Sequence, residues 1–155
     1  VHFKNVSVGR EWLLAGPMED IMQQGGGGAT GGLQTSTLAI GLAQAAVRYL
    51  QNQAKRRCEL REPTDRLNQE WNDLRDDLLA VADGQNVCSK EDIRSRANSL
   101  VLRGTQAGLA AAKGTGYSYD HPVGRWCCEA LFFLVWSCPQ TVMAANMCEL
   151  AGMTD

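Results

Sequence analysis

From Leu33 onward, apolar residues recur every three or four positions, the spacing of one face of an α-helix. Leu33, Thr37, Ile40, Ala43 or Gln44, Val47 and Leu50 make the first stripe, over roughly 33–57. Small residues on this segment, Ala39, Gly41, Ala43, Ala45 and Ala46, leave room for close approach of another helix. Pro63 stops that helix and opens the next, whose stripe is Leu67, Trp71, Leu74, Leu78 and Val81. Thr64 or Asp65 is positioned to cap it and Gly84 to end it. Ser89 with Asp92 resembles a capping box. It opens a third stripe of Ile93, Ala97, Leu100, Val101, Thr105 and Leu109, closed by Gly114. A last pair, roughly 124–137 and 139–151, is broken at Pro139, which disfavours helix at Cys138.

The first residues follow a different period. Val1 and Phe3, then Val6 and Val8 after a one-residue slip, alternate as in a strand. A single strand needs neighbours, so residues 1–24 read as strand and loop belonging to a preceding β domain. "GGGGATGG", residues 25–32, reads as a flexible linker. Residues 33–155 then form the helical domain. The predicted fold is all-α: an up-and-down four-helix bundle, its last helix broken, behind a short N-terminal strand stub.

Composition narrows the function classes. The chain has 155 residues with 15 Lys plus Arg against 17 Asp plus Glu, a near-neutral balance without the footprint of a nucleic-acid binder. Lys55, Arg56, Arg57 and Arg61 interleave with Glu59 and Glu62, as on a solvated helix face. Six cysteines lack CxxC spacing and only His2 and His121 are present, so no zinc ligand set is legible. Scattered thiols, Cys127 and Cys128 among them as core filling, point to a reducing, cytoplasmic setting. "ALFFLVW" is too short for a membrane span.

Several stretches, in order, resemble the C-terminal helical domain of the acyl-CoA dehydrogenase family. "VHFKNVSVGREWLLAG" is similar to the end of the family's middle β domain, and "IGLAQAAVRY" to the first bundle helix. "RRCELREP" stands where the family has an Arg, then Phe-Gly, then Pro. "GTGYSYDHPVGRWCCEA" is similar to its glycine loop, Tyr, Pro-Val and following helix. The resemblance implies FAD, an acyl-CoA or related thioester as substrate, and a homodimer or tetramer. In that family a carboxylate takes the α-proton while a hydride passes to the flavin.

Carried over residue by residue, the resemblance places the usual base at Ser137. A lone hydroxyl does not replace a carboxylate there. In some members the base is a Glu just before an Arg at the start of the first bundle helix; those two positions fall at Gly31 and Gly32, and a flavin-binding Gln falls on Ala110. Arg57, Gly114 and Gly116 match the cofactor-binding pattern. Arg57 also reads as a cation complementing a helix C-terminus, and the two glycines as cap and turn residues. Trp136 and Cys138 imply apolar surroundings at Ser137, which would raise the pKa of a carboxylate placed there. Glu19 and Asp20, in loop-like sequence, are candidate replacement acids and equally ordinary loop acids.

Three readings follow. The first is the helical domain of an acyl-CoA dehydrogenase-like flavoprotein, divergent at the base and not retaining FAD by itself. The second is a catalytically inactive, family-derived oligomerisation or scaffold module. The third is a helical adaptor unrelated to the family.

Overall fold

A computed structural model of the chain describes residues 2, 4–7, 9–13, 16, 19 and 32–153. Five α-helices carry the fold: α1 Leu33–Ala54, α2 Arg61–Ala82, α3 Lys90–Ala112, α4 Pro122–Val135 and α5 Gln140–Leu150. Short 3-10 turns lie at Arg10–Trp12, Cys58–Leu60 and Lys113–Tyr117. Among the described residues there is no strand. Of the expected strand stub, His2 and Lys4–Ser7 carry none. Val1, Phe3 and Val8 lie outside the described residues, as does the glycine linker apart from Gly32.

Helix α3 is the hub, and its partners alternate in direction. Arg96 meets Asp77 and Arg103 meets Glu70, so α2 runs antiparallel to α3. Asn98 meets the Phe133 carbonyl and Thr105 meets Cys127, so α4 does too. A methyl group at Gly104 would lie 3.8 Å from Ala46, and one at Gly108 the same distance from Tyr49, so α1 and α3 run parallel. This order is compatible with an up-and-down four-helix bundle, to which α5 is added.

The core follows the sequence stripes. Ile40, Val47 and Leu50 from α1, Leu67, Leu74 and Leu78 from α2, and Ile93, Ala97, Leu100 and Val101 from α3 are buried together with Ala130 and Phe133 of α4. The small-residue segment of α1 finds its close partner within the chain. Ala39, Ala43 and Ala46 are fully buried in the bundle, and Ala46 faces Gly104 of α3, whereas Gly41 is exposed.

Helix ends depart from the sequence reading in three places. Helix α2 begins at Arg61, not at Pro63, because the 3-10 turn Cys58–Leu60 runs into it and the Cys58 carbonyl accepts the Arg61 N–H. Thr64 is therefore no cap: it is buried inside the helix and its hydroxyl has no hydrogen-bond partner among the described residues. At the end of α3 the positive φ belongs to Lys113 (55°), and Gly114 falls within the following 3-10 turn. By contrast, Ser89 caps α3 by accepting the Asp92 N–H at 3.0 Å, and Gly84 closes α2 at φ 83°.

The third departure is the broken helix. Helices α4 and α5 are not two halves of one rod. Ser137 takes φ 47°, Pro139 starts the next segment, and α5 turns back along α3, where Glu149 accepts a hydrogen bond from Ser99. The reversal is held by Arg94, which is fully buried. Its Nη2 donates to the carbonyls of Phe133 (3.1 Å) and Trp136 (2.9 Å), and its Nε donates to Asn98 Oδ1 (3.1 Å). Asn98 Nδ2 donates to the Phe133 carbonyl as well, at 3.2 Å. The last carbonyls of a helix have no intrahelical partners and carry the negative end of its dipole. A buried guanidinium satisfies both conditions there.

Arg94→Met should lower stability by about 2–4 kcal/mol, since it takes the donor from the Trp136 carbonyl and from Asn98 Oδ1. Arg94→Lys should not restore it, because an ammonium lacks the planar fork. Ser137→Gly should gain about 0.5–1 kcal/mol by relieving the left-handed backbone. At this chain length each kcal/mol moves the unfolding midpoint by roughly 2–4 °C, which calorimetry resolves.

Candidate functional site

The sequence singled out Arg57, Gly114, Gly116 and Ser137. The fold gathers the first three at one end of the bundle and sets the fourth at the other. Arg57 follows α1 in extended backbone (φ −135°) and its side chain crosses to the end of α3. Nη2 donates to the Ala111 carbonyl at 2.8 Å and to Gln53 Oε1 at 3.3 Å. The Arg thereby ties the C-terminal ends of two parallel helices, where exposed carbonyls concentrate negative potential.

Beside Arg57 lies a cavity of about 340 Å³. Leu50, Leu60, Leu67 and Ala110 give it apolar walls, and Lys113 joins Arg57 as its second cation. The volume is at the small end of the roughly 300–1,000 Å³ typical of ligand pockets. On the other side of Leu109 a groove of about 740 Å³ runs along the glycine turn, lined by Gly116, Tyr117, His121, Arg125 and Cys128 among others. Tyr117 and Tyr119 project from it into solvent.

The glycines are not equivalent. A Cβ at Gly114 would meet nothing within 4 Å. Gly116 is buried, and a Cβ there would lie 2.6 Å from Leu109 Cδ1 and 3.0 Å from Ala112 Cβ. A Cβ at Gly124, in the first turn of α4, would lie 2.6 Å from the Gly116 carbonyl oxygen. The turn and α4 thus touch backbone to backbone. Gly124 escaped the sequence reading because a glycine one turn into a helix carries no signal of its own. His121 escaped it too: its Nδ1 accepts the Val123 N–H at 3.4 Å and caps α4, with the ring edge-on to Tyr49 at 5.7 Å.

Ser137 sits in the α4–α5 reversal, half-buried, beside Trp136, whose carbonyl Arg94 holds. Burial lowers the Arg94 pKa, yet a guanidinium remains charged in proteins. The apolar pocket expected around Ser137 is not what the fold builds. Trp136 is 58% exposed, and the nearest buried charge is a cation. A carboxylate introduced here would meet water and a guanidinium, and both favour its ionised form.

The remaining candidates can be placed briefly. Glu19 is exposed, and Asp20 and Gly31 lie outside the described residues. Gly32 is the N-cap of α1 and Ala110 is exposed on the rim of the Arg57 cavity. All six cysteines are free thiols. Neither thiol of the adjacent pair is buried: Cys128 is exposed, and Cys127 is half-buried and donates to the Thr105 carbonyl at 3.3 Å. Burial pushes the Cys127 thiol pKa up. Among the described residues no cluster of His, Cys, Asp and Glu is suited to hold a metal, and no helix is long and apolar enough to cross a membrane.

For the flavin that the family resemblance implies, the fit is partial. Arg57 keeps Nε and Nη1 for a phosphate oxygen, with Lys113 nearby, which suits one phosphate contact. The Arg57 cavity is too small for a whole dinucleotide, so the ring system would rest on other surfaces. No protein-family model, curated protein or solved structure matches the chain.

The glycine contacts give a graded test. Gly116→Ala and Gly124→Ala should each destabilise by about 1–3 kcal/mol through overpacking. Gly114→Ala should stay within about 0.5 kcal/mol of the unsubstituted chain. Denaturant unfolding monitored by helical circular dichroism separates these outcomes.

Proposed function

We propose that this chain is the helical-bundle domain of an acyl-CoA dehydrogenase-like flavoprotein, a cytoplasmic FAD-dependent oxidoreductase acting on an acyl-CoA or related thioester. In this reading the Arg57 end contacts the cofactor's phosphates, and the ordinary base position, Ser137, has no carboxylate. One observation carries the proposal. Arg57, more than fifty residues before the 113–117 turn in sequence, bonds the Ala111 carbonyl two residues ahead of that turn and lines one cavity with Lys113, its first residue. Those are the two places where the sequence resembles the family's flavin side.

The geometry adds a condition. Arg94 holds the Ser137 turn near the start of α3, whereas Arg57 lies against Ala111 near its end. Seventeen residues of helix at 1.5 Å each separate them by about 26 Å. The cofactor contact and the vacated base position of one chain therefore belong to two different sites. In this reading a second copy supplies the other half of each site, in keeping with the homodimer or tetramer that the resemblance implies. Bound FAD would supply the hydride acceptor; the residues of this chain would hold its phosphates and the packing around them.

A second reading keeps the fold and drops the chemistry: a family-derived scaffold module that binds no flavin. The absence of a carboxylate at Ser137 and of an amide at Ala110 favours it.

The protein that contains this chain, purified with its preceding segments, should retain flavin, seen as visible absorbance. Arg57→Ala should weaken that retention by roughly 10- to 100-fold, the scale of a charge-assisted hydrogen bond of about 1.5–3 kcal/mol. Arg57→Lys should restore it only in part. In a panel of acyl-CoA thioesters Ser137→Ala should change no rate. Flavin-free protein of normal stability would select the scaffold reading, and loss of a clear activity in Ser137→Ala would reject the vacated base.

A further inference from the structure

Lys113 follows α3 with its backbone at φ 55° and ψ −148°. That region is close to glycine-only, so a lysine there is strained. A glycine stands one residue on, at Gly114, yet the left-handed backbone falls on the lysine. Strain of this kind persists where the surroundings hold a residue in place for a task. Lys113 lines the cavity beside Arg57, so the strained residue brings a second cation to it.

The cavity lies where three helices meet. Leu50 comes from α1, Leu60 from the turn before α2, Leu67 from α2 and Ala110 from α3. Against the two cations, Glu59, which is exposed, is the one acid among the lining residues. Neither Arg57 nor Lys113 has an acid within ion-pair distance among the described residues, whereas Arg75, Arg96, Arg103 and Arg125 each do. Arg57 commits Nη2 to Ala111 and Gln53, and its Nε and Nη1 stay open. Helix α2 begins at the same place, and its N-cap Leu60 makes no side-chain cap hydrogen bond, so the positive end of its dipole is uncapped there. Thr64, in the first turn of α2, lines the cavity, and its buried hydroxyl has no partner among the described residues.

We infer that this cavity binds a small free carboxylic acid with a compact apolar body, its carboxylate between Arg57 and Lys113 and its body against Leu50 and Leu67. The charge argument is direct. Two unpaired cations and a helix N-terminus converge on one place, and one exposed acid offsets only part of them, which suits a monoanion. The walls decide the rest. A bare inorganic anion would leave the leucines in water, whereas an apolar body buries them. Size sets the bound. At the roughly 30 Å³ that a water molecule takes up in the liquid, the cavity's 340 Å³ holds about eleven groups of that size. Phenylacetate, with about ten non-hydrogen atoms, is an acid of that size. The ligand is the free acid because a thioester carbonyl carries no charge for the two cations to meet. The inference concerns the apolar interior of the cavity, goes beyond the flavin reading and does not rest on it.

The test is titration of the chain with phenylacetate, without flavin, followed by backbone amide chemical shifts. A dissociation constant below about 1 mM is expected, with the shifts centred on Thr64, Leu67, Ala110, Ala111 and Lys113. Acetate has the charge without the body, and phenylacetamide has the body without the charge. Each should bind at least about 10-fold more weakly. Lys113→Gly should weaken phenylacetate at least about 5-fold without lowering the unfolding midpoint, because glycine accepts that backbone. Arg57→Gln should weaken it at least about 10-fold, and Lys113→Gly carries the test if the Arg57 variant unfolds. No binding at about 1 mM, shifts centred elsewhere, phenylacetamide as tight as phenylacetate, or an unchanged affinity in Lys113→Gly would each overturn the proposal. So would inorganic phosphate binding as tightly as phenylacetate, which would leave the cations as a phosphate contact alone. Flavin retention is read on the longer protein, so either inference can fail while the other stands.

Discussion

Arg94 is the constraint on which the rest of the structure turns. It is a fully buried guanidinium with no carboxylate bonded to it among the described residues, and its charge is met by two helix-end carbonyls and one side-chain amide oxygen. Burying a cation in this way costs several kcal/mol unless its donors are satisfied. Its Nη1 still lacks a partner among the described residues. What offsets that cost is position. The C-terminal carbonyls of α4 need donors and carry the negative end of a dipole, so one side chain addresses both. The bond to Trp136 stops α4 where it stops, and the chain can then reverse through Ser137 into α5.

That reversal divides the molecule into two ends. At one, Arg94 fixes a turn whose Ser137 has left-handed backbone, half-exposed, beside a cation. At the other, Arg57 joins the C-terminal ends of α1 and α3, and Gly116 packs against Gly124. Between them α1 and α3 approach closely through Ala46 and Gly104. A small-residue seam of this kind lets two parallel helices serve as a rigid spacer. The separation of the ends, about 26 Å along α3, is therefore a property of the core and not of the loops.

Much of this was legible in the sequence, for identifiable reasons. Ile40, Val47, Leu50, Leu67, Leu74, Leu78, Ile93 and Leu100 repeat at helical spacing and are buried as that spacing requires. Ser89 and Gly84 act through local chemistry, and local chemistry is what a sequence displays. The misses have a different origin. Arg94 reads as one more charged helix residue, because nothing nearby in the chain says that Phe133 and Trp136 will arrive with free carbonyls. The small-residue face of α1 reads as a seam for another helix, but only the fold says that this helix is α3. Thr64 reads as a cap until the 3-10 turn before α2 moves the helix start. Of the candidate site, Arg57 and Gly116 could be singled out by pattern, whereas Gly124 and the cation beside Ser137 appear only when elements far apart in sequence meet.

If the Arg57 end and the Ser137 end of one chain serve two different sites, flavin must be held between copies. Sedimentation of the flavin-loaded protein that contains this chain, followed in the flavin's visible band and in the protein band across a dilution series, tests this most directly. The account predicts that visible absorbance travels with the dimer or tetramer and is lost from the protein as the copies separate. Flavin that remains stoichiometrically bound to a dissociated, folded monomer would contradict it.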